Sequence, residues 1–128
     1  MDRFKEIIKT ACLVNNLTID ELKSKSRLRH IVDSRRMVFS VARDLLKMSY
    51  KKIGSVFNMN HATIIHHVKQ HNSLMVADFY YKDRFNKLLE LYKLNISYLN
   101  QDELIETIKE LKAENLRIES ELIQKNND

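Results

Sequence analysis

The chain contains no proline and a single glycine, Gly54, among its 128 residues. Proline and glycine are the residues that most often end or interrupt helices, so a sequence this poor in both favours a mostly helical protein. The same scarcity argues against two common nucleotide sites, because a phosphate-binding P-loop needs two glycines and a dinucleotide fingerprint needs three. We therefore predict an all-α protein that is not an enzyme and has no nucleotide or other cofactor.

Positive charge is concentrated in the first part of the chain. Residues 1–72 contain 14 Lys and Arg against 6 Asp and Glu, whereas residues 73–128 contain 8 against 11. This asymmetry predicts a basic domain that meets a polyanion, followed by a segment that does not. No apolar run approaches the length of a membrane span, and the lone Cys12 lies in an apolar helical stretch. We expect a cytoplasmic protein with no membrane partner.

Three helices are expected before residue 49. The first runs from Asp2 to about Val14, and a capping box of Thr18 and Glu21 opens a short second helix. The third is placed between Asp33 or Ser34 and about Met48. Residues at helical spacing that should face the core are Phe4, Ile7, Ile8, Ala11, Cys12, Met37, Val41, Ala42, Leu45 and Leu46, with Val38 at the edge.

A basic loop, residues 24–30, separates the second and third helices and includes Lys25, Arg27 and Arg29. Most charge runs are simply solvated surface. Its position ahead of a packed helix instead favours contact with phosphates or a minor groove, where arginine is preferred. Arg35 and Arg36 are expected in the first turn of the third helix. The helix dipole disfavours cations there, and a DNA phosphate would stabilise them.

Residues 49–72 have the pattern of a helix-turn-helix. Ser49 is a good N-cap for a short helix, whose apolar side is Ile53, Val56 and Phe57. The segment Asn58-Met59-Asn60 predicts a tight turn, and a second helix is expected over residues 61–72. Its inward residues are Ile64, Ile65 and Val68, and its outward residues are His61, Ala62, Thr63, His66, Lys69 and Gln70. Two ordinary amphipathic helices are the alternative interpretation.

An ordered series of residues resembles the C-terminal DNA-binding domain of the bacterial replication initiator DnaA. The series runs Ser26-Arg27-x-Arg29, Arg35-x-Met37, Ala42-Arg43, Ser49, Ile53-Gly54-x-x-Phe57 and His61-x-Thr63-Ile64-x-His66. The resemblance covers about residues 4–94 and does not extend to the initiator's ATPase domain. It implies a helical domain that binds a short duplex site, with one helix in the major groove and the basic loop on the minor groove and backbone.

We assign candidate DNA contacts from this resemblance and from the outward positions of the second helix. Those expected to contact bases are Asn60, His61, Ala62 and Thr63. Those expected to contact the backbone or minor groove are Lys25, Arg27, Arg29, Arg35, Arg36, Ser49, Lys51 and Lys69.

The turn departs from the family's pattern. Asn58-Met59-Asn60 is one residue shorter than the family's Gly-Gly-Arg-Asp, and in the recognition signature Arg-Asp-His-Thr-Thr the arginine is absent. Asn60 stands in place of the aspartate and Ala62 in place of the first threonine. An aspartate accepts from cytosine, whereas asparagine pairs better with adenine, so we expect a different preferred site.

Two further segments complete the chain. Residues 74–94 are expected to form one or two helices that close the core, through Phe79, Phe85, Leu88, Leu89 and Tyr92. Residues 100–124 have a heptad seam with one asparagine, a pattern typical of two-stranded pairing: Leu104, Ile108, Leu111, Asn115, Ile118 and Leu122. We predict a DNA-binding domain over 1–94, and a linker with a coiled-coil helix over 95–128 that forms a homodimer or packs on its own domain.

Two other functions compete with DNA binding. A protein-interaction module that kept the fold and binds through the C-terminal helix is favoured by the loss of the Arg-Asp pair, and disfavoured by the basic loop. A metal or catalytic site would have to use the histidines, which are His30, His61, His66, His67 and His71. Because no cysteine or carboxylate cluster joins them, we predict no metal and no catalytic residue.

Overall fold

The computed structural model describes residues 2–95, and these residues form helices joined by short turns with no strand among them. Helices α1 to α5 are Arg3–Asn15, Ile19–Lys23, Arg29–Asp44, Tyr50–Phe57 and His61–Ala77, and α6 is 79–95. The predicted all-α class is confirmed. The chain divides into two units between Lys93 and Leu94. The heptad seam predicted over 100–124 lies outside the described residues.

The first two helices begin at side-chain caps, and the second of these caps was predicted. Asp2 accepts from the backbone N–H of Phe4 at 3.0 Å and starts α1. The capping box of α2 is confirmed: the Glu21 N–H donates to Thr18 Oγ1, and the Thr18 N–H donates to Glu21 Oε1, both at 3.1 Å. The predicted apolar stripe of α1, including Cys12, is buried throughout.

Helix α3 is the central helix, since it packs against α1, α2, α4 and α5. Its side chains Met37, Phe39 and Ala42 are fully buried. The ring of Phe39 meets that of Phe57 edge-on, with 4.9 Å between centroids, so α3 and α4 share one aromatic core. Val38 is also fully buried and does not lie at the edge of the core, where its spacing in the sequence placed it.

The predicted bounds of α3 are wrong at both ends, because the helix starts at Arg29 and ends at Asp44. Asp33, one of the two predicted starts, lies inside the helix, where its buried carboxylate pairs with Arg36 Nη1 at 3.0 Å. At the other end Lys47 adopts a left-handed conformation, and the Met48 N–H donates to the Ala42 carbonyl. This early stop leaves Leu45 exposed, contrary to its predicted place in the core.

The turn between α4 and α5 depends on a close approach at Gly54. Asn58 is left-handed at φ 54°, and the Met59 N–H donates to the Gly54 carbonyl oxygen at 2.8 Å. A Cβ atom on Gly54 would collide with the carbonyl oxygen of Met59. Ile53 and Phe57 are buried as predicted, whereas Val56 is exposed and does not belong to the apolar side.

Helix α5 extends to Ala77, five residues beyond its predicted end. The break falls at Asp78, whose carboxylate accepts from the Tyr81 N–H at 3.1 Å and caps α6. In α6 the predicted core residues Phe85, Leu88 and Tyr92 are buried. Phe79 is 81% exposed and is a wrong core assignment, because its neighbour Tyr81 fills that place.

Helices α5 and α6 are joined by a buried polar contact. The Nδ1 atom of His71 lies 2.5 Å from the hydroxyl of Tyr81, and both side chains are buried. None of the helices in the described part of the chain is long and apolar enough to cross a membrane. The buried side chains of the described helices form one core. The outer face of α5 and the basic loop are exposed to solvent.

Candidate nucleic-acid interface

The start of α5 is built on Asn60. Its Oδ1 atom accepts from the Ala62 N–H at 2.8 Å, and its backbone carbonyl accepts from the Thr63 N–H at 3.0 Å. This cap satisfies a backbone donor that would otherwise have no intrahelical partner. Asn60, His61, Ala62 and Thr63 are all exposed, so the first turn of α5 presents its side chains to solvent.

Further along α5 the outer face stays polar. His66 and Lys69 are exposed, whereas Gln70 is half-buried. On the inner face Ile64 is fully buried, and Ile65 and Val68 are half-buried. The buried face thus fixes the rotation of the helix, and the side chains predicted to contact DNA lie on the face that remains.

The basic loop, residues 24–30, is held in place by Arg35. Its Nε donates to the Leu22 carbonyl at 2.6 Å, its Nη1 donates to the Ser26 carbonyl at 2.7 Å, and its Nη2 donates to the Ser24 carbonyl. Arginine suits this role because its planar group offers five donors in a fixed arrangement. Three carbonyl oxygens that lack helical partners are satisfied by one side chain.

The placement of Arg35 corrects two expectations. It lies in the second turn of α3, so neither it nor Arg36 occupies the first turn. Arg35 is only 4% exposed, and its guanidinium is taken up by loop carbonyls. Arg35 therefore does not belong among the candidate phosphate contacts, and its role is to position the loop.

The exposed cations of the loop are not equivalent. Lys25 and Arg27 are exposed, and the described residues form no ion pair with either. Arg29 begins α3 and extends toward the α5–α6 junction, where its Nη2 lies 3.3 Å from Asp78 Oδ2. Its Nε lies 3.7 Å from the carboxylate of Asp33. Arg27 is consequently the loop arginine most available to a phosphate.

A groove of about 470 Å³ brings the basic loop and α5 together. We call it the loop–turn groove. One wall is the loop, including Lys25 and Arg27, and the other is formed by the turn residues Asn58 and Met59 together with Thr63. Residues separated by more than thirty positions in sequence thereby line one basic surface. The predicted base-contacting and backbone-contacting residues Thr63 and Arg27 lie on the same groove.

His67 also lines the loop–turn groove, and it is bonded to Arg36 of α3. Arg36 Nε donates to His67 Nδ1 at 3.2 Å, and Arg36 also binds Asp33. Burial lowers the pKa of His67 to about 4, and the positive charge of Arg36 acts in the same direction. The imidazole is therefore neutral at pH 7 and serves as an acceptor. Arg36 is half-buried by these contacts.

Two other candidates lie on α4. Ser49 caps the helix by accepting from the Lys52 N–H at 3.1 Å, and it is exposed. Lys51 is exposed in the first turn of the same helix. Both can reach solvent, and Ser49 already has a structural role.

The histidines do not converge. His71 is buried against Tyr81, whereas His61 and His66 are exposed on α5. Within residues 2–95, no three His, Cys, Asp or Glu side chains are arranged to hold a metal ion.

Comparison with known proteins decides the family. The family model described as bacterial dnaA protein helix-turn-helix matches residues 4–70, which span α1 to most of α5. The chain belongs to the bacterial DnaA helix-turn-helix family. The match includes both walls of the loop–turn groove. Membership implies DNA binding, and the helix-turn-helix domain of DnaA proteins is a DNA-binding domain and not a catalytic one.

Individual DnaA proteins are similar over the same region. The chromosomal replication initiator protein DnaA of Geobacter metallireducens is 40% identical over 74 residues, covering 57% of this chain and 16% of that protein. The DnaA protein of Geobacter sulfurreducens is 42% identical over 65 residues, or 50% and 15%. That of Wolbachia pipientis is 30% identical over 90 residues, or 70% and 20%. The chain thus spans at most a fifth of these DnaA proteins.

The sequence pattern identifies the two walls of the groove but not what holds them. Arg35 was expected to contact phosphate and Asp33 to lie at the start of α3, and both are buried polar residues inside α3. The spacing of Asp33 and Arg36, three apart on one helical face, is a signal for an internal pair. No local signal identifies the three carbonyls that Arg35 binds, since they belong to the preceding loop.

Proposed function

We propose that this chain is a sequence-specific double-stranded DNA-binding protein that acts in replication or transcription control in the cytoplasm. The first turn of α5 enters the major groove, with Asn60, His61, Ala62 and Thr63 facing the bases. The basic loop lies on the adjacent minor groove and backbone. Backbone contacts come from Lys25, Arg27, Arg29, Arg36, Ser49, Lys51 and Lys69.

The observation that supports this proposal best is the loop–turn groove. A helix in a major groove contacts base edges with its N-terminal residues, and an adjoining basic segment can follow the backbone. Here the exposed first turn of α5 and the exposed Arg27 flank one groove. The excess of Lys and Arg over Asp and Glu in residues 1–72 adds a general attraction to a polyanion.

Selection of bound duplexes from a random pool tests the specific part of the proposal. The wild-type chain should enrich a defined site, and its affinity should fall linearly with salt on logarithmic axes. Retention of duplex without an enriched site would mean non-specific binding. No retention at low salt would reject DNA binding altogether.

The competing function is a protein-interaction module that kept this fold. It is favoured by the exposed Val76, Phe79 and Tyr80 near the α5–α6 junction, because clustered exposed apolar side chains often mark contact surfaces. In that case a chain with Phe79→Ser and Tyr80→Ser should lose a protein partner and keep any DNA affinity. A salt-independent failure to bind duplex would favour this second function.

We also propose that the chain forms a homodimer through residues 100–124 and binds neither nucleotide nor membrane. The seam from Leu104 to Leu122 supports dimerisation by its heptad spacing alone.

A further inference from the structure

The two polar atoms of the Asn60 side chain differ in their hydrogen bonding. Oδ1 accepts from the Ala62 N–H at 2.8 Å and caps α5. Nδ2 has no acceptor among the described residues, and Asn60 is exposed. Because the amide group is planar, turning Oδ1 toward the helix end turns the NH₂ group away from it. The capping bond also fixes which atom is oxygen and which is nitrogen.

We infer that Asn60 reads DNA as a hydrogen-bond donor only, selecting a base that presents major-groove acceptors and rejecting cytosine. This inference rests on the proposed binding of duplex DNA by the first turn of α5. It revises the expectation from sequence that asparagine would favour adenine. A bidentate adenine contact needs Oδ1 to accept from N6 while Nδ2 donates to N7. Here the bond from the Ala62 N–H directs Oδ1 to the helix end and leaves Nδ2 as the outward group.

The chemistry of base edges identifies the selected bases. Guanine presents two adjacent acceptors, N7 and O6, to the major groove, so both hydrogens of Nδ2 can be used. Thymine presents O4. Cytosine presents an N4 amine, which is a donor facing a donor, and adenine places its N6 donor beside N7. The order of preference at this position is therefore guanine, then thymine, with cytosine the least favoured.

The cap and the base contact act together. The helix end holds Oδ1 through a bond to backbone, so the NH₂ group is aimed before DNA arrives and loses little freedom on binding. An aspartate at the same place would cap equally well and suits the positive end of the helix. It would offer only acceptors to the base. On the same backbone, asparagine therefore presents a donor to the base and aspartate presents an acceptor.

The experiment is site selection with the full chain and three variants. Asn60→Asp keeps the capping oxygen and removes the donor, so the preferred base at one position should change from guanine or thymine to cytosine. Asn60→Ser keeps a cap but is too short to reach a base, and should lose preference at that position alone. Asn72→Asp adds the same charge at an exposed site of α5 and is the matched control. Its selected site should be that of the wild type.

A second measurement changes the DNA and compares the wild type with Asn60→Asp. In the selected site, 7-deazaguanine in place of the guanine removes the N7 acceptor and should weaken binding about tenfold, the effect expected for one hydrogen bond. The Asn60→Asp variant should bind both versions equally. If thymine is selected, the analogue lacking O4 serves the same purpose. The affinity of the wild type for the two duplexes tests the donor assignment even if a variant is poorly folded.

The outcomes separate this inference from the proposed function. Selection of adenine or cytosine by the wild type, or an identical site for wild type and Asn60→Asp, overturns the donor assignment while specific binding stands. An unchanged affinity for the 7-deaza duplex overturns it too. Failure of the wild type to enrich any duplex overturns the proposed function, and the donor assignment with it.

Discussion

The guanidinium of Arg35 donates from Nη1 to the carbonyl oxygen of Ser26 at 2.7 Å, joining the interior of α3 to the basic loop. A second bond, from Nε to the Leu22 carbonyl at 2.6 Å, anchors the end of α2. Residues 24–28 of the loop have no regular secondary structure, and the bonds from the buried Arg35 hold them in place. The position of Arg27 on the loop–turn groove follows from this anchor.

Replacing Arg35 should therefore damage the fold more than the DNA surface. In Arg35→Lys a single ammonium cannot satisfy three carbonyls. We expect the free energy of unfolding to fall by about 2–4 kcal/mol, the contribution of one or two hydrogen bonds to a charged group. Urea unfolding measures this change. The salt dependence of DNA binding by the folded variant should keep its wild-type slope. Normal stability with a shallower slope would instead mark Arg35 as a phosphate contact.

Arg27 and Arg29 should differ when each is changed to alanine separately. Arg27 lies on the groove without an ion pair among the described residues, so Arg27→Ala should reduce the log–log salt slope by about 0.9, the value for one phosphate that is no longer neutralised. Arg29 is paired with Asp78, which offsets part of its charge before DNA binds, so Arg29→Ala should reduce the slope by less than Arg27→Ala. Fluorescence anisotropy titrations at several salt concentrations provide the slopes. Equal changes in both variants would contradict the distinction.

The parts of the fold that can be predicted from the sequence are those with local signals. The side chains of the capping box, Thr18 and Glu21, bond to backbone three residues away, so their pattern is readable in sequence. Asn58 adopts the left-handed conformation that asparagine tolerates, so the turn has a local signal as well. The family match over residues 4–70 includes these local features, and it supports the DNA-binding assignment.

The errors lie where distant residues decide. Asp33 was predicted at the start of α3, but it lies inside the helix, and its carboxylate pairs with Arg36 at 3.0 Å and with Arg84 of α6 at 3.8 Å. Phe79 and Tyr81 are two apart and both aromatic, and Tyr81 takes the core position because its hydroxyl meets His71. Neither partner is adjacent in sequence. The residues predicted to touch DNA remain predictions, since their contacts require a duplex.

Gly54→Ala should weaken the helix-turn-helix. The added methyl would collide with the Met59 carbonyl oxygen, which belongs to the backbone and can move only if the turn opens. Overpacking costs about 1–3 kcal/mol, and the better helix propensity of alanine offsets up to about 1 kcal/mol of that. Thermal unfolding should show a net loss of stability. Ser55→Ala, exposed on the same helix, is the control and should stay near wild type.

The buried His71 should make the domain sensitive to acid. Burial lowers its pKa from 6.5 to about 4 despite the charge of Asp44, which acts in the opposite direction. The unfolded chain therefore binds this proton first as the pH falls. Stability present above pH 6.5 is lost as the pH drops toward 4.

The variant His71→Gln tests this sensitivity because an amide can still bond the Tyr81 hydroxyl and does not titrate. Between about pH 6 and 4.5 its free energy of unfolding should depend on pH less steeply than that of the wild type, by up to about 1.4 kcal/mol per pH unit for one proton. Urea unfolding at each pH supplies the comparison. The pKa of His67 is also lowered to about 4, so His67 contributes the same pH dependence of stability to both proteins. Identical pH profiles would exclude His71 as a source of acid sensitivity.

The heptad spacing of residues 100–124 predicts self-association. The seam positions Leu104, Ile108, Leu111, Ile118 and Leu122 are apolar, and Asn115 is the single polar residue among them. A buried asparagine favours two strands because it pairs across a dimer and is costly in other assemblies. Asn115→Ile should therefore give a mixture of dimers and larger assemblies.

Sedimentation equilibrium of the full chain and of a chain ending at Asn100 measures the masses directly. We expect a dimer that becomes a monomer on truncation, and a selected DNA site with two half-sites for the full chain only. Glu114 and Glu119 flank the seam and would repel each other in a parallel pair, so raising the salt concentration should strengthen the dimer. Monomers for both chains at every salt concentration would exclude dimerisation, and the full chain should then select a single half-site.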